Sequence, residues 1–600
     1  MVRKQDTAQE TENGLSRRSF LVGGAAAALA AAGTMMVGCS SPANSDPQSG
    51  SESSNTAAVA QTATDEHIGA GRRATATLEN AEPIEPLDPP ANWDSEVDIV
   101  IVGAGGGGIA GALVAREMGA SVIVVEKSAE SGGATAHANG WLNVAGTAKA
   151  QQDIEFAYPE FPYDRTKFIA AMQNVYQYSI DNSLLAKLAE KGGECADWIT
   201  DKGTDWMCIG PFFVHSAGMA SAVLGQKVMT DQFEKLGTEA GAEYRFNCEC
   251  TGLVVENNRV VGIRAREGSS DVYLKADKGV VLCAGGFGMN PDLLKKYSPT
   301  AYENIVYGGP FPSHSGEALR MALGAGADIS GFDSWSCWES APDNGTGDWN
   351  YFYGIRQFLQ MPWLNFDCEG KRCDFYDSRL PNMPAFVGSS GDTLRVAAQM
   401  SRPNGRVYCI FDNNYEEYAA KIAVEKGERM PAVASAPDRD PGLYDSDWHV
   451  EFQNALGDGR IKKADTLEEL AEMLDLDPVI VKDTVERWNA NCEKGVDDDP
   501  DLIYPYLPEW LNPIEEGPFY GAALGGQLGK TMAGVRVNDK LQAMDARGHE
   551  IPGLYAGFTT AGGAVGESNF GGGLINTSLL GGCALSWVSG YYAVQSALSA

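Results

Sequence analysis

Glu96-Val-Asp-Ile-Val-Ile-Val102 is an almost unbroken apolar run, and Gly103-Ala-Gly105-Gly-Gly-Gly108 follows it directly. Continuous rather than alternating hydrophobicity predicts a strand covered on both faces, as in a parallel sheet. From Ile109 to Met118 the apolar positions fall at helical spacing, and a second apolar run, Ser121 to Val125, ends on Glu126. The pattern predicts strand, tight turn, helix, strand and then an acid.

That order gives the glycines a chemical reading. Gly103 permits the tight turn, Gly105 lets the backbone approach a pyrophosphate, and Gly108 lets helix and strand pack closely. The helix N-terminus then faces the phosphates, and Glu126, about 20 residues on, accepts hydrogen bonds from a ribose. The unit reads as a dinucleotide site.

Composition sets the surroundings. A chain of 600 residues, 44% of them hydrophobic and 70 of them glycine, makes two to four domains with ample core. A formal net charge of −34 excludes a nucleic-acid surface and docking on anionic lipid. The 12 cysteines include no Cys-x-x-Cys and no Cys-x-x-Cys-His, so haem attachment and iron–sulfur clusters have no local signature. Most of these cysteines are expected as small buried apolar residues. No metal site is expected.

The first 92 residues are set apart. Ser16-Arg17-Arg18-Ser19-Phe20-Leu21 leads an Ala/Gly-rich stretch to about Val37, the form of a twin-arginine export signal. The stretch is too short and alanine-rich for a membrane span of about 20 strongly apolar residues. Met36-Val37-Gly38-Cys39 resembles a lipobox, which places the mature protein on the extracytoplasmic face of the membrane, lipid-anchored through Cys39. Residues 40–92, rich in Ser, Ala, Asp and Pro, read as a flexible linker.

Beyond the first glycine turn the chain resembles the fumarate reductase/succinate dehydrogenase flavoprotein superfamily, which includes 3-ketosteroid dehydrogenases and urocanate reductases. Lys127-Ser-Ala-Glu-Ser-Gly132-Gly133-Ala134-Thr135 is similar to its second flavin loop, and Val280-Val-Leu-Cys-Ala-Gly285-Gly286-Phe287-Gly288 to its late strand and glycine turn. Gly553-Leu-Tyr-Ala-Gly557, Gly562-Gly563 and Gly571-Gly-Gly-Leu-Ile575 resemble its C-terminal flavin segment. The motifs keep the family's order over about residues 95–595.

The resemblance implies an α/β fold, a Rossmann-like FAD-binding domain with an inserted α+β capping domain. The boundaries it implies are FAD-binding segments at 93–328 and 461–600 and a cap at 329–460, after a signal at 1–39. It implies FAD contacts at Gly103, Ala104, Gly105, Gly108, Glu126, Lys127, Gly133, Ala134, Thr135, Ala138, Gly140, Cys250, Gly285, Gly286, Gly573, Leu574 and Ile575. Ala134 stands where one branch carries a flavin-linking histidine, so the FAD is expected to be non-covalent. The family's Gly-Glu after Leu-Tyr-Ala is here Phe558-Thr559. No second glycine-rich unit offers an NAD(P)H site. Electrons are therefore expected from an external protein, whether a cytochrome, a flavoprotein or a quinol-linked carrier.

For the chemistry, Asn365-Phe-Asp-Cys-Glu-Gly370-Lys-Arg372 resembles the strand before the family's proton-donating arginine, and Arg379 stands nine residues beyond Gly370 where the family has ten. Tyr376 and Tyr353 are competing donors. Lys530-Thr531-Met532-Ala533-Gly534 puts lysine at the family's substrate-binding histidine, and Asn569 replaces an arginine, so the two-carboxylate clamp for fumarate is dismantled. Lys530 remains to bind one carboxylate or polarise a carbonyl. Trp335, Trp338, Trp349, Tyr351, Phe352, Tyr353, Phe358, Trp363 and Phe366 make the first part of the cap aromatic. They form either a small cap core or a wall for a flat or bulky substrate.

The expected activity is reduction of a carbon–carbon double bond conjugated to a carbonyl or carboxylate in a small, aromatic or polycyclic molecule. A dehydrogenase of the ketosteroid Δ1 type and an electron-transfer flavoprotein without substrate chemistry are the alternatives.

Overall fold

A computed structural model of the chain describes residues 67–68, 71–72, 76–136, 141–142, 144, 166, 169–170, 173, 179–204, 206–209, 212–215, 225–304, 307–308, 313–342, 358–359, 361–374, 402–424, 448–564 and 582–600. The expected export signal and Cys39 lie outside them.

The first strand, β1 (Ser95–Val102), is fully buried at Ile99–Ile101, as an unbroken apolar run requires. Helix α1 (Gly106–Glu117) begins three residues before the expected Ile109, because the glycines themselves make its first turn. Strand β2 (Val122–Val125), helices α2 (Asn182–Asp201) and α3 (Gly225–Glu239), and strand β3 (Glu243–Arg245) follow. Next come β4 (Cys248–Glu256) and β5 (Arg259–Glu267), an antiparallel pair, and the long β6 (Ser270–Leu282). Then come α4 (Pro291–Tyr297), α5 (Glu317–Gly324), β7 (Trp335–Pro342), β8 (Leu364–Phe366), β9 (Val407–Phe411) and β10 (Lys462–Ala464). The chain closes with α6 (Pro478–Lys494), β11 (Phe519–Thr531), β12 (Gln542–Met544), β13 (Glu550–Ala556) and α7 (Gly582–Ser599).

One sheet runs β12-β13-β6-β1-β2-β3, with parallel pairing from β13 through β3. The first half of β6 also carries the β4–β5 pair. Parallel strands joined by helices make this the Rossmann-like part of an α/β protein. Helix α7 closes one face by crossing α1 glycine to glycine: a Cβ on Gly590 would stand 1.8 Å from Gly107 O, and one on Gly111 would stand 2.9 Å from Val594 Cγ2. No larger residue permits that approach.

A second sheet is built on β11. Its first half pairs with β9 and β10, and its last residues pair with β7, Trp335 opposite Thr531. The apolar residues divide the same way. One core holds Ile99, Leu282, Leu528, Met532 and Trp587; the other holds Phe358, Phe411, Trp488, Trp510 and Leu524. Strand β11 thus starts in one core and ends in the other.

Two expectations change here. Residues from Ile461 to Leu524 pack in the second core, so the chain returns to the first near Leu528 rather than at 461. The segment from 76 to 92 is not a free linker. Asp292 accepts from the N–H groups of Thr77 at 2.9 Å and Asn80 at 2.8 Å, and Leu87 pairs with Leu253 and Val255 at 2.8 and 2.9 Å. Ala76 and Ala81 are buried, and the prolines at 83, 86, 89 and 90 suit an extended strap that has no ladder to complete. Composition alone does not separate such a strap from a tether.

Cys195, Cys248, Cys250, Cys283, Cys368, Cys373, Cys409 and Cys492 are free, five of them buried. Among the described residues no helix is long and apolar enough to cross a membrane, and no group of side chains is arranged to hold a metal ion.

Candidate active site

The glycine turn sits where β1, β2 and β6 end together. Gly103 has φ +100°, and a Cβ there would stand 2.5 Å from Cys283 O, so β1 and β6 touch at this point. A Cβ on Gly108 would stand 1.9 Å from Gly103 O, which fixes how closely α1 folds back on the turn. Gly105 differs: its nearest neighbour would be 3.9 Å away, so the N-terminus of α1 has an open side there, and its N-cap carries no side-chain hydrogen bond.

The Glu126 carboxylate at the end of β2 accepts from Ala104 N–H at 2.8 Å and Ser128 N–H at 2.9 Å. It is therefore held beside the turn. The second loop joins it: Gly132 N–H donates to Ala104 O at 2.8 Å, and Thr135 Oγ1 accepts from Gly106 N–H at 3.2 Å. Gly133 and Ala134 open the short helical turn that carries Thr135. Lys127 extends its ammonium to Ser315 Oγ at 2.9 Å and to Glu317 at 3.4 Å.

Gly285 and Gly286 form the turn after β6. Thr531, the last residue of β11, lies against Gly286 and accepts from Phe287 N–H at 3.1 Å, while Thr560 Oγ1 donates to Gly285 O at 3.0 Å. Lys530 is 9% exposed, and strand alternation sends its side chain to the face of β11 opposite that of Thr531. The strand end therefore reaches the glycine turn through Thr531.

Several of the remaining expected positions lie in the packed cores. Cys250 is on β4, and its thiol packs in the core 3.8 Å from Met321 Sδ, with burial pushing its pKa up to about 12. It presents no thiolate to a ligand. Phe358, Trp363 and Phe366 belong to the second core, Phe358 5.1 Å from Trp363 and 5.4 Å from Phe411, and do not line a substrate wall. Trp335 is buried in the first core. Arg372 is fully buried, ion-paired to Asp497 at 3.1 Å between the rings of Trp488 and Tyr506, which makes it structural. Tyr376, Arg379, Ala138, Gly140, Asn569, Gly573, Leu574, Ile575, Trp349, Tyr351, Phe352 and Tyr353 lie outside the described residues.

The sequence reading passed over Thr531, Thr560 and His314. Thr531 follows Lys530 in a motif read for its lysine, and Thr560 falls between Phe558-Thr559 and Gly562-Gly563. His314 lies outside every motif above, three residues before α5 begins at Glu317.

The arrangement fits FAD. An open glycine at a helix N-terminus suits a pyrophosphate, and a carboxylate fixed at the end of the next strand suits a ribose. The chain is 25% identical over 552 residues to NADH:acrylate oxidoreductase of Vibrio harveyi, covering 80% of this chain and 49% of that one. It thus spans about half the length of that relative. To urocanate reductase of Eggerthella lenta it is 27% identical over 490 residues, covering 80% and 72%. To digoxin reductase of the same species it is 26% identical over 597 residues, covering 92% of both. The fold is similar to that of 3-ketosteroid Δ1-dehydrogenase from Sterolibacterium denitrificans, with a TM-score of 0.61 at 17% identity over 84% of this chain and all of the other. The FAD binding domain family matches residues 98–574, so the chain belongs to that family and is an FAD-dependent oxidoreductase.

Proposed function

We propose that the protein reduces a carbon–carbon double bond conjugated to a carbonyl or carboxylate, in a small aromatic or polycyclic molecule, with electrons from an external protein. The observation that carries the reading is β11, which runs from the second core to the flavin turn and ends there on the Thr531–Phe287 bond. A carrier of electrons has no use for a second core tied to its flavin turn; an enzyme that encloses a substrate does. Acrylate and urocanate, named in two relatives, are both unsaturated carboxylates. Digoxin, named in a third, is polycyclic.

FAD supplies hydride chemistry when bound. Reduction adds a hydride to one alkene carbon and a proton to its neighbour, with negative charge building on the conjugated oxygen between the two events. Arg379 is assigned the proton or the charge, with Tyr376 as relay, because guanidinium alone is a poor acid. Lys530 is assigned a carboxylate or carbonyl oxygen of the substrate. Ala134 has no nucleophilic atom to bond the flavin, so FAD is held non-covalently and leaves on denaturation. The protein is assigned to the extracytoplasmic face of the membrane, exported by the twin-arginine route and anchored through Cys39.

The test is to reduce the enzyme with a dye under anaerobic conditions and follow flavin reoxidation with enoates, hydroxycinnamates, enones and fumarate. Reoxidation by a member of the first three classes and not by fumarate is expected. Rapid reoxidation by fumarate overturns the argument from Lys530 and Asn569. Activity only as oxidation of a saturated ketone with an artificial acceptor reverses the proposed direction.

A further inference from the structure

His314 is a histidine to which the reading above gives no task. The Cδ2–Nε2 edge of its ring lies against the flavin turn: a Cβ on Gly285 would stand 2.5 Å from both atoms. Only glycine at 285 leaves room for it, and Gly285 has φ +80°, which also favours glycine. The His314 backbone is tied to the same turn, with Met289 N–H donating to His314 O at 3.0 Å. Its neighbour Ser315 receives the Lys127 ammonium at 2.9 Å, and Lys127 follows directly on Glu126. His314 therefore stands between the two ends of the cofactor site, the acid after β2 and the glycine turn after β6. Burial and the nearby Lys127 charge push its pKa down to about 4. At neutral pH the ring is uncharged.

We propose that His314 is an FAD-contacting residue, its imidazole hydrogen-bonding the cofactor from the wall between Lys127 and Gly285. A neutral imidazole carries one N–H donor and one acceptor nitrogen, so the ring serves a hydroxyl, carbonyl or ring nitrogen of FAD. The closest rival is a packing role, a flat ring filling the space that Gly285 leaves. The two roles differ in whether the nitrogens matter.

The experiment measures FAD release from holoprotein after dilution, by recovery of flavin fluorescence. His314→Phe keeps a flat ring over Gly285 and removes both nitrogens. It should release FAD about tenfold faster, the loss of a hydrogen bond of about 1.4 kcal/mol. His314→Gln, which restores a donor and an acceptor, should stay within about threefold of wild type. Release from His314→Phe at the wild-type rate overturns the proposal and leaves packing as the role. If that variant fails to fold, the wild-type protein decides. Diethylpyrocarbonate labelling mapped by mass spectrometry should modify His314 at least tenfold more slowly with FAD bound than after flavin removal. Equal labelling in the two states overturns the assignment. Neither readout depends on which substrate the enzyme reduces, so the inference and the proposed activity fail separately.

Discussion

At the residue scale the glycines of the first turn are not equivalent. Gly108 serves the fold, since its Cβ would meet Gly103 O at 1.9 Å, and Gly105 serves the ligand, since its Cβ would point into space with 3.9 Å of clearance. Gly108→Ala should therefore cost more than about 3 kcal/mol of stability and take flavin binding with it. Gly105→Val should stay within about 1 kcal/mol of wild type, the size of an N-cap preference, and still purify without FAD. Chemical denaturation and the flavin absorbance of the purified proteins check both. A Gly105→Val protein that remains yellow would remove the pyrophosphate from this helix end. The two polar side chains assigned to substrate should also separate. Arg379→Ala should retain FAD and slow substrate-driven reoxidation by about 10²–10³, the worth of one preorganised charge. Lys530→Ala should chiefly raise KM, and the split between kcat and KM measured by stopped flow distinguishes them.

At the scale of elements, the strap from 76 to 92 hangs on one carboxylate. Burial alone would raise the Asp292 pKa, but the N–H groups of Asn80, Leu78 and Thr77, with the Thr77 hydroxyl, outweigh it and hold the group below 3.8. A carboxyl depressed in the folded protein adds stability above its unfolded pKa near 3.9, and that contribution is lost as pH falls through the lower folded value. Asp292→Asn should lower stability at pH 7 by about 1–2 kcal/mol and converge on wild type as pH falls through the depressed folded value. Limited proteolysis should then cut the strap first. Equal cleavage of the two proteins at pH 7 would mean that Asp292 does not hold it. The first Rossmann unit was legible because its signals are local: β1, the glycines, α1 and β2 lie within one short window. The strap was not, because its partners Asp292, Leu253 and Arg320, the last accepting from Ile84 N–H at 3.0 Å, are far along the chain and its own composition is that of a linker. The same cause misplaced the return from the second core. Helix α6 carries Trp488 into that core, but the ring finds its partners in Arg372 and Tyr506 only after folding. Phe358, Trp363 and Phe366 read equally well as wall or core, and only the rings around them decided it.

For the whole molecule, the order of events follows from the site. The FAD cradle draws on β2, the loop after it, the turn after β6 and the end of β11, so it is complete only when nearly all of the chain has folded. A cofactor held non-covalently in such a site has to be loaded where FAD is made, before any passage through a membrane. A twin-arginine signal suits that requirement, since that route carries folded proteins, and Arg17 with Arg18 is the pair on which it would depend. Arg17→Lys together with Arg18→Lys should leave the protein in the cytoplasm, still yellow, because both exchanges fall outside residues 98–574, the segment that matches the FAD binding domain family. Cys39→Ala should be exported and recovered in the soluble fraction instead of with the membrane. Fractionation followed by flavin fluorescence separates the two steps. Colourless protein in the cytoplasm of the double-lysine variant would break the link between loading and export, and Cys39→Ala that stays with the membrane would end the case for a lipid anchor.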